Sequence, residues 1–164
     1  MPDQTVLPAP FESSIQTVKR EWLDYNGHLN MAYYNVLFDT ALDETCILLG
    51  LGPDYVASRN ASYFTAEVHV CYLRELKEGD PVRTTVRILG FDDKRVHIYQ
   101  ELYHAEDGFL SATSEQMALH VDMGARKVAP WPEDIAGRLA EAHKAHAQLG
   151  QPARSGRRIA LPSG

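Results

Sequence analysis

Apolar and polar residues alternate along the middle of the chain, and this pattern predicts consecutive β-strands. The alternation runs through TAEVHVCYLREL (65–76), VRTTVRIL (82–89), RVHIYQELYH (95–104) and FLSATSEQMALHV (109–121). The short polar stretches KEGDP, FDDK and AEDG separate these segments and favour tight turns. A shorter segment rich in β-branched residues, SIQTVKRE (14–21), adds a fifth strand. We therefore expect an antiparallel meander.

Helical spacing of apolar residues begins after Asn30 and continues to Gly50. The polar stripe is narrow, so the pattern predicts a mostly buried helix with apolar positions Tyr34, Leu37, Phe38, Ala41, Leu48 and Leu49. Asn30 is suited to cap the start of this helix, while Gly50 and Gly52-Pro53 end it. The next strong helix is expected only from Pro132 to Gly150. Its single apolar stripe, which places it on a surface, consists of Ile135, Leu139, Ala142 and Leu149.

These elements predict an α+β fold, in which a five-stranded curved antiparallel sheet wraps around one long helix and a C-terminal surface helix is added. The length of 164 residues suits a single domain over residues 1–164, with an N-terminal arm over 1–13 and a tail over 150–164. A unit of this kind leaves sheet edges open. We therefore expect it to pair with a second copy, as a homodimer or a dimer of dimers.

Charge and composition argue against several classes of protein. Sixteen Lys and Arg against 22 Asp and Glu give a net charge of −6 without a basic stripe, which disfavours nucleic-acid binding. No apolar run reaches the roughly 18 residues of a membrane span, and MPDQTVLPAPFESS lacks the pattern of a secretory signal. Cys46 and Cys71 are interpreted as reduced thiols in a cytoplasmic protein. No CxxC or HxxxH pair accompanies them, so no metal site is expected.

The segment Trp22-Leu23-Asp24-Tyr25-Asn26-Gly27-His28-Leu29-Asn30 holds a carboxylate, a flexible turn and a helix start. This spacing places Asp24 close to the first free N–H groups of the helix, near Asn30 and Met31. Such groups carry partial positive charge and suit a developing oxyanion. A carboxylate beside them can attack an activated carbonyl or deprotonate a water molecule that does so. The segment therefore permits acyl transfer without Ser, Cys or metal, and both routes stay open.

The order D-x-x-G-H-L-N at the entry to a long helix resembles the hotdog-fold acyl-CoA thioesterases of the 4-hydroxybenzoyl-CoA thioesterase type. The matching positions are Asp24, Gly27, His28, Leu29 and Asn30. The strand ending YLRELKEGD (72–80) and the segment LHVD (119–122) are similar as well, and the resemblance covers roughly residues 14–135.

The resemblance implies that Asp24 is the catalytic carboxylate and that a backbone N–H at the helix start, at Met31, polarises the thioester carbonyl. His28 and Asn30 complete the set of candidate catalytic residues, although a structural histidine and a helix cap are the simpler readings of these two. The CoA thioester is then the substrate, and neither a metal nor a redox cofactor is implied.

Three further segments, SYFTAEVHV (62–70), HVDMGARKVAPWP (120–132) and GRRIALP (156–162), resemble the betainyl-CoA thioesterase branch of carnitine degradation. Aromatic faces, often with a carboxylate nearby, hold trimethylammonium groups of the betaine kind. The candidate substrate-binding residues are Trp22, Tyr25, Tyr33, Tyr34, Tyr63, Phe64 and Glu67. The basic residues considered for the CoA phosphates are Arg74, Lys77, Arg154, Arg157 and Arg158.

Other interpretations remain at this stage. The chain could be a thioesterase for another short or aromatic acyl-CoA, or an acyl-CoA binding module without catalysis. A hotdog hydratase is a fourth option, but the motif with its usual catalytic His and Asp is not found. Three helix carboxylates, Asp39, Asp43 and Glu44, either share the chemistry or form a stripe that faces solvent or a partner.

Overall fold

The computed structural model describes residues 6–164. Within them the strands are β1 (Phe11–Glu12), β2 (Gln16–Thr17), β3 (Ala61–Tyr72), β4 (Pro81–Phe91), β5 (Arg95–His104), β6 (Leu110–Asp122) and β7 (Lys127–Val128). The helices are α1 (Met31–Leu48), α2 (Pro53–Arg59) and α3 (Glu133–Ala147), with a 3-10 turn at Arg20–Trp22. No helix among the described residues is long and apolar enough to cross a bilayer.

The strands form one antiparallel sheet in the order β1-β4-β5-β6-β3, with β2 also on β4 and β7 also on β6. The four long strands match the predicted alternating segments, and α1 packs against the sheet. The α+β hotdog prediction is thereby confirmed. β3 ends the sheet, so one of its edges is unpaired within the described residues.

The predicted strand over 14–21 is wrong as one continuous element. Within this segment only Gln16–Thr17 (β2) is a strand, because the chain leaves β4 after two residues and winds into the turn at Arg20–Trp22; β1 lies before the segment and makes a separate contact with β4. The predicted arm over 1–13 also needs correction: Phe11 pairs with Val86 and is 1% exposed, so this part of the arm belongs to the core. Residues 1–5 lie outside the described part of the chain.

Two other helix predictions need correction. α1 ends at Leu48, before Gly50 with φ +78°, so Gly50 and not Gly52-Pro53 marks its end. Gly52 is the N-cap and Pro53 the first residue of α2, where the fixed φ and missing N–H of proline are tolerated. α1 buries one face, with Tyr34, Leu37, Phe38, Ala41, Leu42, Thr45 and Cys46, rather than most of its surface. Met31, Val36, Ile47 and Leu48 are exposed in the single chain. The apolar pattern of α1 therefore exceeds what its one buried face requires.

α3 packs on β4 with Ile135, Leu139 and Ala142 buried, as the predicted stripe requires. Leu149 is exposed, however, and His146 takes the last buried place. The Nδ1 atom of His146 accepts the N–H of Ile88 at 2.9 Å, and its Nε2–H donates to the carbonyl oxygen of Pro8 at 2.9 Å. Because burial disfavours the charged ring, the pKa of His146 lies below its ordinary value.

We expect stability to fall as the solution is acidified below about pH 6.5, because the unfolded state then binds a proton that folded His146 resists. The stabilisation that neutral His146 provides is fully present above the pKa that histidine has in the unfolded chain. It is lost as the pH falls from that value towards the lower pKa of His146 in the folded chain. Thermal melting between about pH 7.5 and pH 5.5 measures this. A His146→Gln variant should melt lower at the higher pH but show a flatter pH dependence; an equally steep one would contradict the assignment.

Candidate active site

The residues from Leu23 to Leu29 form a tight loop immediately before α1. Leu23 and Leu29 pair as an antiparallel bridge, and the N–H of Asp24 donates to the carbonyl oxygen of His28 at 2.9 Å. Gly27 adopts φ +78°, a left-handed conformation that costs glycine little, and its N–H donates to the carbonyl oxygen of Asp24 at 3.0 Å. The loop thus folds Asp24 back towards the helix start.

The Asp24 carboxylate is oriented from one side only. Its Oδ1 atom accepts the N–H of Asn26 at 2.8 Å and lies 3.4 Å from the backbone N of His28. Among the described residues, Oδ2 accepts no hydrogen bond. One oxygen therefore fixes the side chain, and the other is available to a substrate or a water molecule.

The first turn of α1 offers a free donor beside this carboxylate. Asn30 is the N-cap, with its Oδ1 atom accepting the N–H of Ala32 at 3.0 Å. The N–H of Met31 finds no acceptor in the described part of the chain, while the Tyr72 hydroxyl donates to the Met31 carbonyl oxygen at 3.2 Å. A free N–H at a helix N-terminus carries partial positive charge and suits an oxyanion.

Asp24 and Met31 both line one cleft of about 320 Å³, whose other lining residues are Leu29, Tyr34, Tyr72, Leu73, Arg74 and Glu75. Within the described residues the His28 ring forms no hydrogen bond with the Asp24 carboxylate, and its Nδ1 atom lies 3.3 Å from Oε2 of Glu75. His28 therefore orients Asp24 through its backbone, while its ring pairs at the edge of the cleft. A thioester carbonyl in this cleft could meet an N–H donor and a free carboxylate oxygen.

Two tyrosines form the aromatic wall of the cleft. The rings of Tyr34 and Tyr72 meet edge to face with centroids 5.0 Å apart. Burial raises the pKa of both hydroxyls, so both remain neutral at physiological pH and can donate hydrogen bonds.

The other aromatic residues near the loop lie away from the cleft. Trp22 stacks on Tyr33 with centroids 5.9 Å apart, and the Lys19 Nζ atom lies 5.0 Å from the Trp22 ring. Tyr25 is 98% exposed. Of the four aromatic candidates in or next to the loop, only Tyr34 borders the cleft.

Tyr63 and Phe64 line a second cavity, of about 520 Å³, together with Asp39, Asp43 and Cys46. Asp39 and Asp43 lie one turn apart on α1, and within the described residues neither carboxylate has an ion pair or a hydrogen bond. Partial burial and then the neighbouring Asp39 raise the pKa of Asp43. Burial raises the pKa of Tyr63, and that of the Cys46 thiol to about 12.

The third helix carboxylate, Glu44, has a structural partner. It accepts the backbone N–H of Ser14 at 2.7 Å and the Ser14 hydroxyl at 2.6 Å. The three helix carboxylates therefore separate into Glu44, which anchors the N-terminal segment, and the unpaired Asp39 and Asp43.

Glu67 lies with Arg157 in a smaller cavity of about 190 Å³ that shares no lining residue with the cleft. The chain before Arg157 is held there, because the N–H of Gly156 donates to Glu115 at 2.7 Å. Of the five predicted CoA-binding cations, only Arg74 borders the cleft. Lys77 lines an adjacent depression. Neither region is lined by Arg154, Arg157 or Arg158.

Comparisons with known proteins agree with this geometry. The model of the thioesterase-like superfamily matches residues 18–139. The chain belongs to this superfamily. The hotdog thioesterase resemblance is thereby confirmed, and the loop, the cleft and the start of α1 all lie within the matched residues.

Two relatives and one solved structure make the comparison more specific. The chain is 39% identical over 142 residues to a betainyl-CoA thioesterase of Pseudomonas aeruginosa, covering 87% of this chain and 89% of that protein. It is 37% identical over 142 residues to an L-carnitine dehydrogenase/betainyl-CoA thioesterase of Rhizobium meliloti, again over 87% of this chain but only 28% of the longer protein. A Staphylococcus aureus protein solved in complex with CoA superposes with a TM-score of 0.86 at 31% identity, covering 93% and 96% of the two chains.

Sequence reasoning missed two members of the site. Tyr72 and Glu75 lie in the alternating segment 65–76. The alternation predicts only which face of the sheet each side chain occupies. Their contacts with Met31 and His28 depend on how the end of β3 meets the start of α1. No local sequence pattern predicts the contact between the end of β3 and the start of α1.

Proposed function

We propose that this thioesterase-superfamily protein hydrolyses betainyl-CoA to betaine and CoA, with Asp24 as the catalytic carboxylate. One observation carries the catalytic part: Asp24, whose Oδ2 atom is free, and Met31, whose N–H is free, line the same cleft. The N–H stabilises negative charge on the carbonyl oxygen as the carbon becomes tetrahedral. The CoA thiolate then leaves, and the carbonyl carbon receives the oxygen of water.

Asp24 can supply this oxygen by two routes. As a general base it takes a proton from water, whose oxygen attacks the carbonyl carbon. As a nucleophile it forms a mixed anhydride with the acyl group, which water then hydrolyses to regenerate the carboxylate. Both routes use the same free oxygen, and no metal or redox cofactor takes part in the proposal.

The proposal includes a homodimer formed along the free edge of β3. This edge has unpaired backbone groups, and Phe64, Val68 and Tyr72 on the same strand are 44–52% exposed. Val36 and Ile47 of α1 add exposed apolar surface. Pairing β3 with β3 of a second copy satisfies the backbone groups and removes apolar surface from water.

Antiparallel pairing of the whole strand places the Tyr72 end of β3 in one copy beside the Ala61 end in the other. The Asp24 cleft lies at the first end, and the cavity of Asp39, Asp43, Tyr63 and Phe64 lies at the second. The two regions share no lining residue within one chain, but a dimer would make them neighbours. The site is therefore proposed to be built from both copies.

The second cavity supports a cationic acyl group. Carboxylates four residues apart on a helix repel each other, and no cation in the described residues offsets Asp39 and Asp43. A trimethylammonium group would offset both charges and contact the faces of Tyr63 and Phe64. These features, together with the betainyl-CoA thioesterase relatives, favour betainyl-CoA over a neutral acyl-CoA. The sequence-based prediction of a cytoplasmic location is retained as part of the proposal.

Replacing Asp24 by Asn should lower kcat for betainyl-CoA at least about a hundredfold, because the amide can neither attack nor accept the proton. Release of free CoA thiol measures this. Melting temperature and oligomeric state should match the wild type, since an amide oxygen can still accept the backbone N–H groups of the loop. Near-normal turnover would move the catalytic role to another residue. CoA-ester binding by the wild type without thiol release would instead indicate a binding module.

The acyl-group assignment is tested with two substrates of the same shape. In 3,3-dimethylbutanoyl-CoA a neutral carbon replaces the ammonium nitrogen of betainyl-CoA. Asp43→Asn should lower kcat/KM for betainyl-CoA about tenfold, equivalent to about 1.4 kcal/mol. It should leave the neutral ester within about twofold. Equal losses on both esters would contradict the ammonium site, and wild-type preference for the neutral ester would indicate a different short acyl substrate.

Subunit mixing tests whether the site is shared between copies. Asp24→Asn and the double variant Asp39→Asn/Asp43→Asn should each be nearly inactive on betainyl-CoA. After exchange of subunits in equal amounts, half the dimers are mixed, and each contains one unaltered composite site. Activity should then recover to about a quarter of the wild-type level. If both sets of residues acted within one chain, mixing would restore nothing.

A further inference from the structure

Residues 150–156, the strap, follow α3 and cross the face of the sheet that points away from α1. The core that α1 shares with the sheet contains Val86, Ile98 and Ala118. Because side chains alternate along a strand, the residues next to these point to the opposite, outer face. In adjacent positions across β4, β5 and β6, the outer face therefore carries Arg87, Tyr99 and Glu115.

The strap is fixed to the outer face at both ends. An Nη atom of Arg87 donates to the carbonyl oxygen of Gly150, and the N–H of Gly156 donates to Glu115 at 2.7 Å. Between these two contacts, Tyr99 is only 2% exposed although it points to the outer face. Burial raises the pKa of its hydroxyl to about 12. The strap therefore covers the outer face from β4 to β6 and runs across the strands.

The chain beyond the strap starts at the free edge of the sheet. Arg157 lines a cavity together with Glu67 of β3, the strand at that edge. Arg157, Arg158 and Glu67 are exposed, and none of them forms an ion pair within the described part of the chain. Ile159 and Leu161 follow and are 92% and 93% exposed. Being two residues apart, they can lie on one side of an extended segment, and the single chain offers that side no apolar contact.

The dimer of the proposed function brings two carboxylates together at this point. Its pairing runs along the whole of β3 (Ala61–Tyr72), so its two-fold axis passes between Ala66 and Glu67. With strands about 4.8 Å apart and a rise of about 3.4 Å per residue, the backbones of the two Glu67 residues stand roughly 6 Å apart on the outer face. Like charges on neighbouring strands oppose their pairing. Cations at the axis would therefore stabilise the dimer.

We propose that residues 157–162 dock on the outer face of the second copy in this dimer. The two arginines of the segment neutralise the Glu67 carboxylates of both copies at the axis. The side chains of Ile159 and Leu161 pack on apolar surface beyond it. The assignment rests on the dimer of the proposed function, and it gives the arginines a role in subunit contact instead of one at the CoA phosphates.

The outer face of the second copy offers an apolar groove next to the axis. The groove has a volume of about 550 Å³, and its floor includes Phe64, Ala66, Leu119 and Val121. Because Ala66 borders the two-fold axis, the groove of one copy starts where the strap of the other ends. Residues 159–162 carry no charge, so they can pass Arg126 and Lys127 at the rim of the groove without repulsion.

The docking segment is long enough to reach this groove. Arg157 lies at β3 of its own copy, and two strand spacings of together about 10 Å separate that strand from β6 of the second copy. Leu161 is four residues further along, and four extended residues span up to about 13 Å. Ile159 is thereby placed over Phe64 of the second copy and Leu161 over its Leu119.

A cross-link tests where the segment docks. In a Cys71→Ser background, Leu161→Cys combined with Leu119→Cys should form a disulfide between copies on oxidation with diamide, because docking brings the two positions together. The product is a covalent dimer on a non-reducing gel. Each single-cysteine variant is a control and should remain a monomer on that gel. A disulfide within one chain, or none in a protein that is dimeric in solution, would overturn the docking.

Charge reversal tests the contact at the axis without altering the core. Arg157→Glu/Arg158→Glu should speed subunit exchange between labelled copies at least tenfold, because interface contacts act mainly on dissociation. Adding Glu67→Lys to the same chain exchanges the charges and should recover most of this loss. Lys144→Glu, an exposed charge reversal on α3, is the control and should leave the exchange rate unchanged. An unchanged rate in the arginine variant, or a loss that Glu67→Lys does not recover, would contradict the contact.

Neither measurement uses a substrate, so the result does not depend on whether the protein hydrolyses a thioester. A monomeric wild type would contradict the proposed dimer and the docking together. A stable dimer that shows neither the cross-link nor the charge effect would overturn the docking alone and leave the proposed function in place.

Discussion

The structure depends on how the entry to α1 is anchored. Tyr34, Leu37 and Phe38 fasten the first half of the helix to the sheet, and the N–H of Leu29 donates to the carbonyl oxygen of Leu76 at 2.8 Å. These contacts hold the end of the helix still, so that the loop of Asp24 can be placed against it. A carboxylate beside free helix N–H groups is useful for catalysis only if neither can move away. The packing of the first half of α1 therefore fixes the position of Asp24 relative to the helix N-terminus.

The same helix is the reason that the proposed site needs a second copy of the chain. α1 carries apolar side chains on its exposed face as well as on its buried face. β3 lies at the end of the sheet, so the backbone groups on one of its edges have no partner strand in the described residues. Both features lie on the same side of the molecule, because the unpaired edge runs beside the exposed face of the helix. One association would resolve both, and it would join the two halves of the proposed site. In the proposed dimer, oligomerisation and specificity thus have the same physical origin.

The parts of the structure that sequence reasoning found are those governed by local periodicity. The four long strands, the cap at Asn30 and the turn at Gly27 each follow from a repeat or from a backbone requirement. The broken first strand, the burial of Phe11 and the place of His146 in α3 depend on contacts with β4, which are distant in sequence. Trp22, Tyr25 and Tyr33 show the same limit for the site, since nearness along the chain did not place them in the cleft.

Charge on α1 is placed in a way that local pattern could not reveal. Asp39 and Asp43 stand beside Tyr63 and Phe64 of β3, and no cation in the described residues pairs with either carboxylate. An unpaired acidic couple against aromatic faces favours a cation and disfavours a neutral or anionic group at the same place. The charge of this cavity would therefore select the acyl group as much as its shape does.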